Sequence, residues 1–257
     1  MSVVIDIGNA RIKWAQVADD GALFAIGNAL HLHDPDEAFG SLAAALPQRT
    51  DRIVVANVAG SRLAERLTHL ARERFGIDPE LVATSAEQHG VRCAYADPSR
   101  LGVDRWVALI AAHHLAEGDA CAITAGTAVT FDAVDRHGQH LGGLIFPGAR
   151  LMAAALDRNT SHIGVTEPAG LPPVGLELLG KSTDAAVGHA AMLAVAAALD
   201  RAIATVRAAL GTQPTVFLAG GDAPALRAWL ETGVQLRADL VLEGLALFVR
   251  QPRPEGN

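Results

Sequence analysis

Val3-Val4-Ile5-Asp6-Ile7-Gly8-Asn9-Ala10-Arg11-Ile12-Lys13 opens the chain as a β-branched run that stops at a carboxylate and a glycine and resumes as a second run. Such residues suit a half-buried pleated surface, and the glycine supplies the turn, so strands are expected at residues 3–7 and 11–17. A third strand is expected at 22–26, after the turn signal Asp19-Asp20-Gly21. The same shape returns in Cys121-Ala122-Ile123-Thr124-Ala125-Gly126-Thr127-Ala128-Val129. Strands are expected there at 121–125, 129–134 and 140–146, the last following the turn Asp135-Arg136-His137-Gly138. Around the first copy, helical periodicity predicts helices near 36–46, 61–74 and 104–116, with a strand at 52–56. Around the second it predicts the Ala-rich helix 183–210, a strand at 215–218, a turn at Gly220-Gly221 and a last helix at 239–250. Two passes through one order of elements predict a duplicated α/β lobe with the active site in the cleft between the copies. The expected lobes are 1–117 and 118–257.

Half of the 257 residues are hydrophobic but only 4% are aromatic, so the cores must be aliphatic. The net charge of −7 and the lack of a dense Lys/Arg run argue against a nucleic-acid partner. Two cysteines, Cys93 and Cys121, do not make a disulfide framework. The longest apolar run, 190–199, is far short of a bilayer span, and no basic leader precedes the first strand. A cytoplasmic protein without a membrane partner is expected, in which the sequon Asn159-Thr160-Ser161 has no consequence. The tail 251–257 has the composition of a disordered end.

The run from Asp6 to Lys13 carries what a magnesium nucleotide needs: an oxygen ligand for a hard cation, backbone able to approach an anion, and a point charge. Read by itself it is equally a hairpin whose turn needs Gly and Asn. Gly126 and the Thr127 hydroxyl echo it from the second copy. Leu101-Gly102-Val103-Asp104-Arg105 enters an apolar helix, where Asp104 is either a helix-start carboxylate or a general base, with Arg105 as a cation to hold an acceptor. Val216 to Asp222 is a strand ending in Gly220-Gly221, where adenosine could lie against backbone or Asp222 could simply cap a helix. Gly175-Leu176-Glu177-Leu178-Leu179-Gly180-Lys181-Ser182 matches the P-loop pattern letter for letter. A P-loop must follow a buried strand, however, and here Pro172-Pro173 comes first, so the match reads as accidental. His113-His114 lies on an apolar helix and reads as structural; no zinc spacing is present.

Taken in order, Asp6–Lys13, Tyr95-x-x-Pro98 leading to Gly102–Arg105, Gly126-Thr127-Ala128, Gly142-Gly143 through Pro147-Gly148, Gly180–Gly188 and Gly220–Asp222 resemble the type III pantothenate kinases, including their Bvg accessory factor branch. The resemblance implies two ribonuclease-H-like lobes of the acetate and sugar kinase/actin superfamily, a homodimer, and ATP-dependent phosphorylation of pantothenate as the first step toward coenzyme A. By position it makes Asp104 the base and Asp6 the holder of the Mg²⁺–phosphate group. Ile7, Gly8, Asn9, Ala10, Arg11, Ile12, Lys13, Gly126, Thr127, Gly220 and Gly221 become ATP contacts. Tyr95, Gly102, Val103, Arg105 and Thr183 become the pantothenate pocket. The chain departs from the family at two places: Thr124 stands where an Asp is associated with a monovalent cation (K⁺ or NH₄⁺), and Ala10 stands for a Thr or Ser. These departures keep open a member that binds without catalysing, and because no motif defines the acceptor pocket, a kinase of another small alcohol stays open too.

Overall fold

The computed structural model describes residues 1–161, 163–164 and 166–250, so the tail 251–257 lies outside the described residues. In chain order the first elements are β1 (Ser2–Ile7), β2 (Arg11–Val17), β3 (Leu23–Leu30), α1 (Pro35–Ala45), β4 (Arg52–Asn57), α2 (Ser61–Phe75) and the two-residue β5 (Glu80–Leu81). A small hairpin of β6 (Glu87–Gln88) and β7 (Val91–Arg92) then leads to α3 (Val103–Leu115). The sheet order is β3-β2-β1-β4-β5, with the first three strands antiparallel and β1, β4 and β5 parallel.

Local sequence explains these elements. Asp34 caps α1 by accepting the Glu37 N–H at 2.9 Å, with Pro35 preset for the first turn. Leu63, Ala64, Leu67 and Ala71 form the buried stripe of α2, which stops at Gly76 in the left-handed conformation (φ 68°). Leu63, Leu67 and Ala71 meet Val3, Ile5, Ile7, Ile12 and Trp14 from the sheet in one core.

The second unit repeats the plan. It contains β8 (Ala120–Ala125), β9 (Ala128–Val134), β10 (His140–Pro147), α4 (Ala149–Asn159), α5 (Thr183–Leu210), β11 (Thr215–Ala219), α6 (Ala223–Arg227) and β12 (Gln235–Leu236). Its sheet order, β10-β9-β8-β11-β12, matches the first with the same directions. On α5, Val187, Ala191, Val195, Leu199 and Ile203 make a buried stripe, of which Val195, Leu199 and Ile203 share a core with Ile123, Phe131 and Leu218.

The expected division into 1–117 and 118–257 needs correction. Contacts group Met1–Ala111 with the residues from Asp239 onward, and Ala112–Ala238 form the second unit. The reason is α7 (Leu240–Arg250), which packs on β1, β2 and β4 of the first sheet. Gly244 lets it approach α3 so closely that a Cβ there would stand 2.4 Å from the Val107 carbonyl oxygen. At its other end Arg52 donates to the Val249 carbonyl at 3.0 Å. Periodicity predicts that a helix exists here but not which sheet covers its apolar face.

Candidate active site

Asp6 and Lys13 are direct cross-strand neighbours in the β1–β2 register, so their side chains leave the same face of the sheet. Asp6 Oδ1 is sealed from solvent and has no hydrogen-bond partner among the described residues. Burial pushes the Asp6 carboxyl up to about 7; the Asp104 charge pushes in the same direction and Lys13 opposes both. The structure thus brings Asp6, Lys13 and Asp104 into one electrostatic group within the first unit.

The turn between the two strands is tight, with the Gly8 N–H donating to the Arg11 carbonyl at 3.0 Å. Closing the hairpin thus consumes the Gly8 N–H, which is no free donor. Among the described residues the N–H groups of Asn9 and Ala10 bond nothing, and Asn9 is exposed. Ile7 and Ile12 are fully buried core side chains, so only their backbone could border a nucleotide. Arg11 is exposed and donates to Asn28 Oδ1 at 2.8 Å.

Val103 begins α3 and Asp104 lies in its first turn, where Oδ1 accepts the Arg105 N–H at 2.8 Å. The helix-start reading of this carboxylate is thus real. Arg105 is buried and donates to the Tyr95 hydroxyl at 3.2 Å, its guanidinium lying 6.0 Å from the tyrosine ring centre. The next residue, Trp106, is fully buried and anchors the start of the helix in the core.

In the second unit the β8–β9 turn is closed by the Gly126 N–H on the Ala128 carbonyl at 3.0 Å, leaving Thr127 exposed at its tip. Two glycines hold this turn. A Cβ on Gly148 would fall 2.1 Å from the Gly126 carbonyl oxygen, and one on Gly220 would fall 2.1 Å from that of Ala125. Gly220 also has φ +99°. Gly221 is exposed, and the Asp222 N–H donates to the Ala125 carbonyl at 3.1 Å. The Gly126–Thr127 turn and the Gly220–Gly221 turn, 94 residues apart in sequence, are therefore one site. Thr124 is a partly buried residue facing Thr130 on β9 and Ala219 on β11. Among the described residues no group of three or more His, Cys, Asp or Glu side chains could hold a metal ion.

The P-loop-like stretch is no phosphate loop. Gly175–Leu178 is a short 3₁₀ turn following extended chain, and Ser182 Oγ caps α5 by accepting the Ala185 N–H at 3.2 Å. Thr183 is the exposed first residue of that helix. What sequence reasoning missed is His31, bonded to the β1–β2 turn after β3 has run back to it; no motif marks it.

Two sheets of identical strand order give the molecule a duplicated ribonuclease-H-like fold. Solved structures agree at the level of fold. The ethanolamine utilization protein EutJ from Carboxydothermus hydrogenoformans aligns with TM-score 0.54 at 16% identity over 96% of this chain and 89% of that one. The activator of the 2-hydroxyisocaproyl-CoA dehydratase from Clostridium difficile, solved with ADPNP, aligns with TM-score 0.52 at 13% identity over 96% and 93%.

Within that fold class the chain belongs to the type III pantothenate kinase family, whose model matches residues 2–205. Curated relatives named type III pantothenate kinase include those of Alkalilimnicola ehrlichii, 37% identical over 97% of this chain and 98% of that protein, and Nitrosococcus oceani, 34% identical over 96% and 92%. The Pseudomonas aeruginosa relative is 36% identical over 96% and 98%.

Proposed function

We propose that the chain transfers the γ-phosphoryl group of ATP to the terminal hydroxyl of pantothenate, the first step toward coenzyme A. The single observation that carries this is the Asp6–Lys13–Asp104 group, in which a buried carboxylate has a lysine opposite it in register and a second carboxylate close enough to shift its proton affinity. Membership of the family supplies the reaction class.

Asp6 fits a hydrated Mg²⁺, because a sealed carboxylate oxygen without a donor is a site that a cation or its water would satisfy. Bound there with the nucleotide, Mg²⁺ would neutralise charge on the phosphates. The chain's own groups do the rest. In the first unit, the free N–H groups of Asn9 and Ala10 and the Lys13 ammonium are the phosphate donors; in the second, Thr127 and the turn at Gly220-Gly221 are the nucleotide contacts. Tyr95, Gly102, Val103 and Arg105 of the first unit border pantothenate, with Arg105 offering a cation to its carboxylate, and Thr183 is the contact assigned to the second unit. Asp104 accepts the hydroxyl proton as the oxygen attacks the γ-phosphorus, the β–γ bridging bond breaks, and ADP leaves.

The test is a coupled ADP-release assay. Asp104→Asn should lower kcat by about a thousandfold or more while leaving the fold intact. Near-full turnover by that variant would remove Asp104 as the base. A neutral hydroxyl is a poor cation partner, so Thr124 supports turnover that varies little between K⁺ and Na⁺ buffers. A strict need for K⁺ would show that another group fills that role.

The homodimer is part of the same reading. Leu144 and Ile145 on the edge strand β10, with Leu151 and Leu156 on α4, are exposed apolar side chains on neighbouring elements. Ile145→Glu should convert a dimer to monomer in light scattering. The reading also carries a cytoplasmic setting; among the described residues no helix is long and apolar enough to cross a membrane.

A further inference from the structure

We propose that His31 is the positioning residue of the first phosphate loop: it holds two carbonyl oxygens of the Gly8–Arg11 hairpin and, through that of Gly8, aims the free Asn9 N–H at the nucleotide. The inference rests on reading Asp6–Lys13 as the ATP loop, and assigns a role to a residue outside that run.

His31 directly follows β3 and is buried, with 5% of its surface exposed. Its backbone N–H donates to the Ala10 carbonyl at 3.0 Å, and its ring Nε2 lies 2.6 Å from the Gly8 carbonyl oxygen. A carbonyl only accepts, so Nε2 carries the proton. The carbonyls of Gly8 and Ala10, the residues on either side of Asn9, are thereby held by one residue. In a planar trans peptide the C=O and the following N–H point in opposite directions, and the chain has no cis bonds. Fixing the Gly8 oxygen on His31 therefore aims the Asn9 N–H the opposite way, and that N–H bonds nothing among the described residues.

The consequence is electrostatic as well as geometric. A two-residue turn can flip its peptide planes at little steric cost, and a flipped Gly8–Asn9 plane would present an oxygen to a triphosphate in place of a donor. His31 makes the flipped state expensive, since it would leave Nε2–H and the carbonyl both unbonded beside a buried ring. The Asn9 donor is thus set before ATP arrives, which strengthens nucleotide binding without touching the acceptor. Nothing in this role needs the imidazole to be charged.

Substitutions that keep the volume but change the reach of the donor test it. The Gln amide extends about as far as Nε2 and the Asn amide only about as far as Nδ1. His31→Asn should raise KM for Mg-ATP about tenfold, with kcat and KM for pantothenate within about twofold, and His31→Gln should recover KM for Mg-ATP to within about threefold of wild type. In wild-type protein with ¹⁵N-labelled histidine, one ring should show a slowly exchanging proton on Nε2 at pH 7.5, and that signal should vanish in either variant. Equal KM values for H31N and wild type, an H31Q as impaired as H31N, or an unprotonated Nε2 would each overturn the proposal. Should H31N fail to fold by circular dichroism, H31Q and the ring proton decide it. Calorimetry of Mg-ATP binding separates the two layers. A wild type that binds no nucleotide defeats the kinase reading, whereas a wild type and H31N that bind equally well defeat the role of His31 alone.

Discussion

Gly102 and Asp104 are matched in space: a Cβ on Gly102 would lie 2.7 Å from Asp104 Oδ1, closer than a carbon and an oxygen can stand without one moving. The atom that would move is the end of a short side chain, so the cost falls on the position of the carboxylate more than on the fold. Gly102→Ala should lower kcat about tenfold to a hundredfold, as expected when a base is displaced by a fraction of an ångström to an ångström. Its thermal midpoint should stay within about 2 °C of wild type, because an exposed or adaptable site contributes little to stability. Unchanged kcat would show that Asp104 does not need its present position.

Asp6 gives the ligand-free protein a pH signature. Its carboxyl is raised from 3.8 to about 7, so between those values the native state holds a proton that the unfolded chain has released. Stability from this group is full below the unfolded value and is lost as pH rises through the folded one. Asp6→Asn removes the charge, and should make the ligand-free protein more stable than wild type at pH 8, by about 4 kcal/mol at most. The residue keeps some surface, and solvent screening lowers that figure. The two proteins should converge near pH 4. Parallel urea-unfolding stabilities from pH 4 to 8 would contradict the shift.

Arg52 ties the last helix to the first sheet. It forms a two-pronged pair with Glu80, at 3.0 and 2.8 Å, and spends a third donor on the Val249 carbonyl at the end of α7. Arg52→Met leaves Glu80 and that carbonyl without a partner, and should cost about 2–4 kcal/mol in urea unfolding. Adding Glu80→Met should return part of the loss, since no carboxylate is then left unpaired. A single variant as stable as wild type would mean that α7 is held by apolar contacts alone.

Gly220 and Gly221 are neighbours with opposite tolerances. Gly220 combines φ +99° with backbone 2.1 Å from a would-be Cβ, whereas Gly221 has nothing within 4 Å. Gly220→Ala should destabilise the protein by about 3 kcal/mol or more, because both backbone strain and collision oppose it. Gly221→Ala should cost under about 1 kcal/mol. Equal melting temperatures for the two variants would contradict the close approach of Gly220 to Ala125.

Much of this protein was legible in its amino acids alone. The apolar runs at residues 3–7 and 11–17, parted by a glycine turn and matched by a second set after Cys121, mark strands by residue type and turn chemistry, which are local properties of the chain. The same holds for the α5 stripe and for the turns that need glycine. The family resemblance likewise lay in ordered short motifs along the chain. Tertiary structure alone decided where α7 packs, because an apolar helical stripe does not say which of two similar sheets will cover it. It also decided which donors of the first turn are free and brought the turn at Gly126 against that at Gly220. His31 lay beyond sequence reasoning for the same reason: hydrogen bonds across 21 and 23 residues depend on how β3 returns along β2, and no local pattern encodes that return.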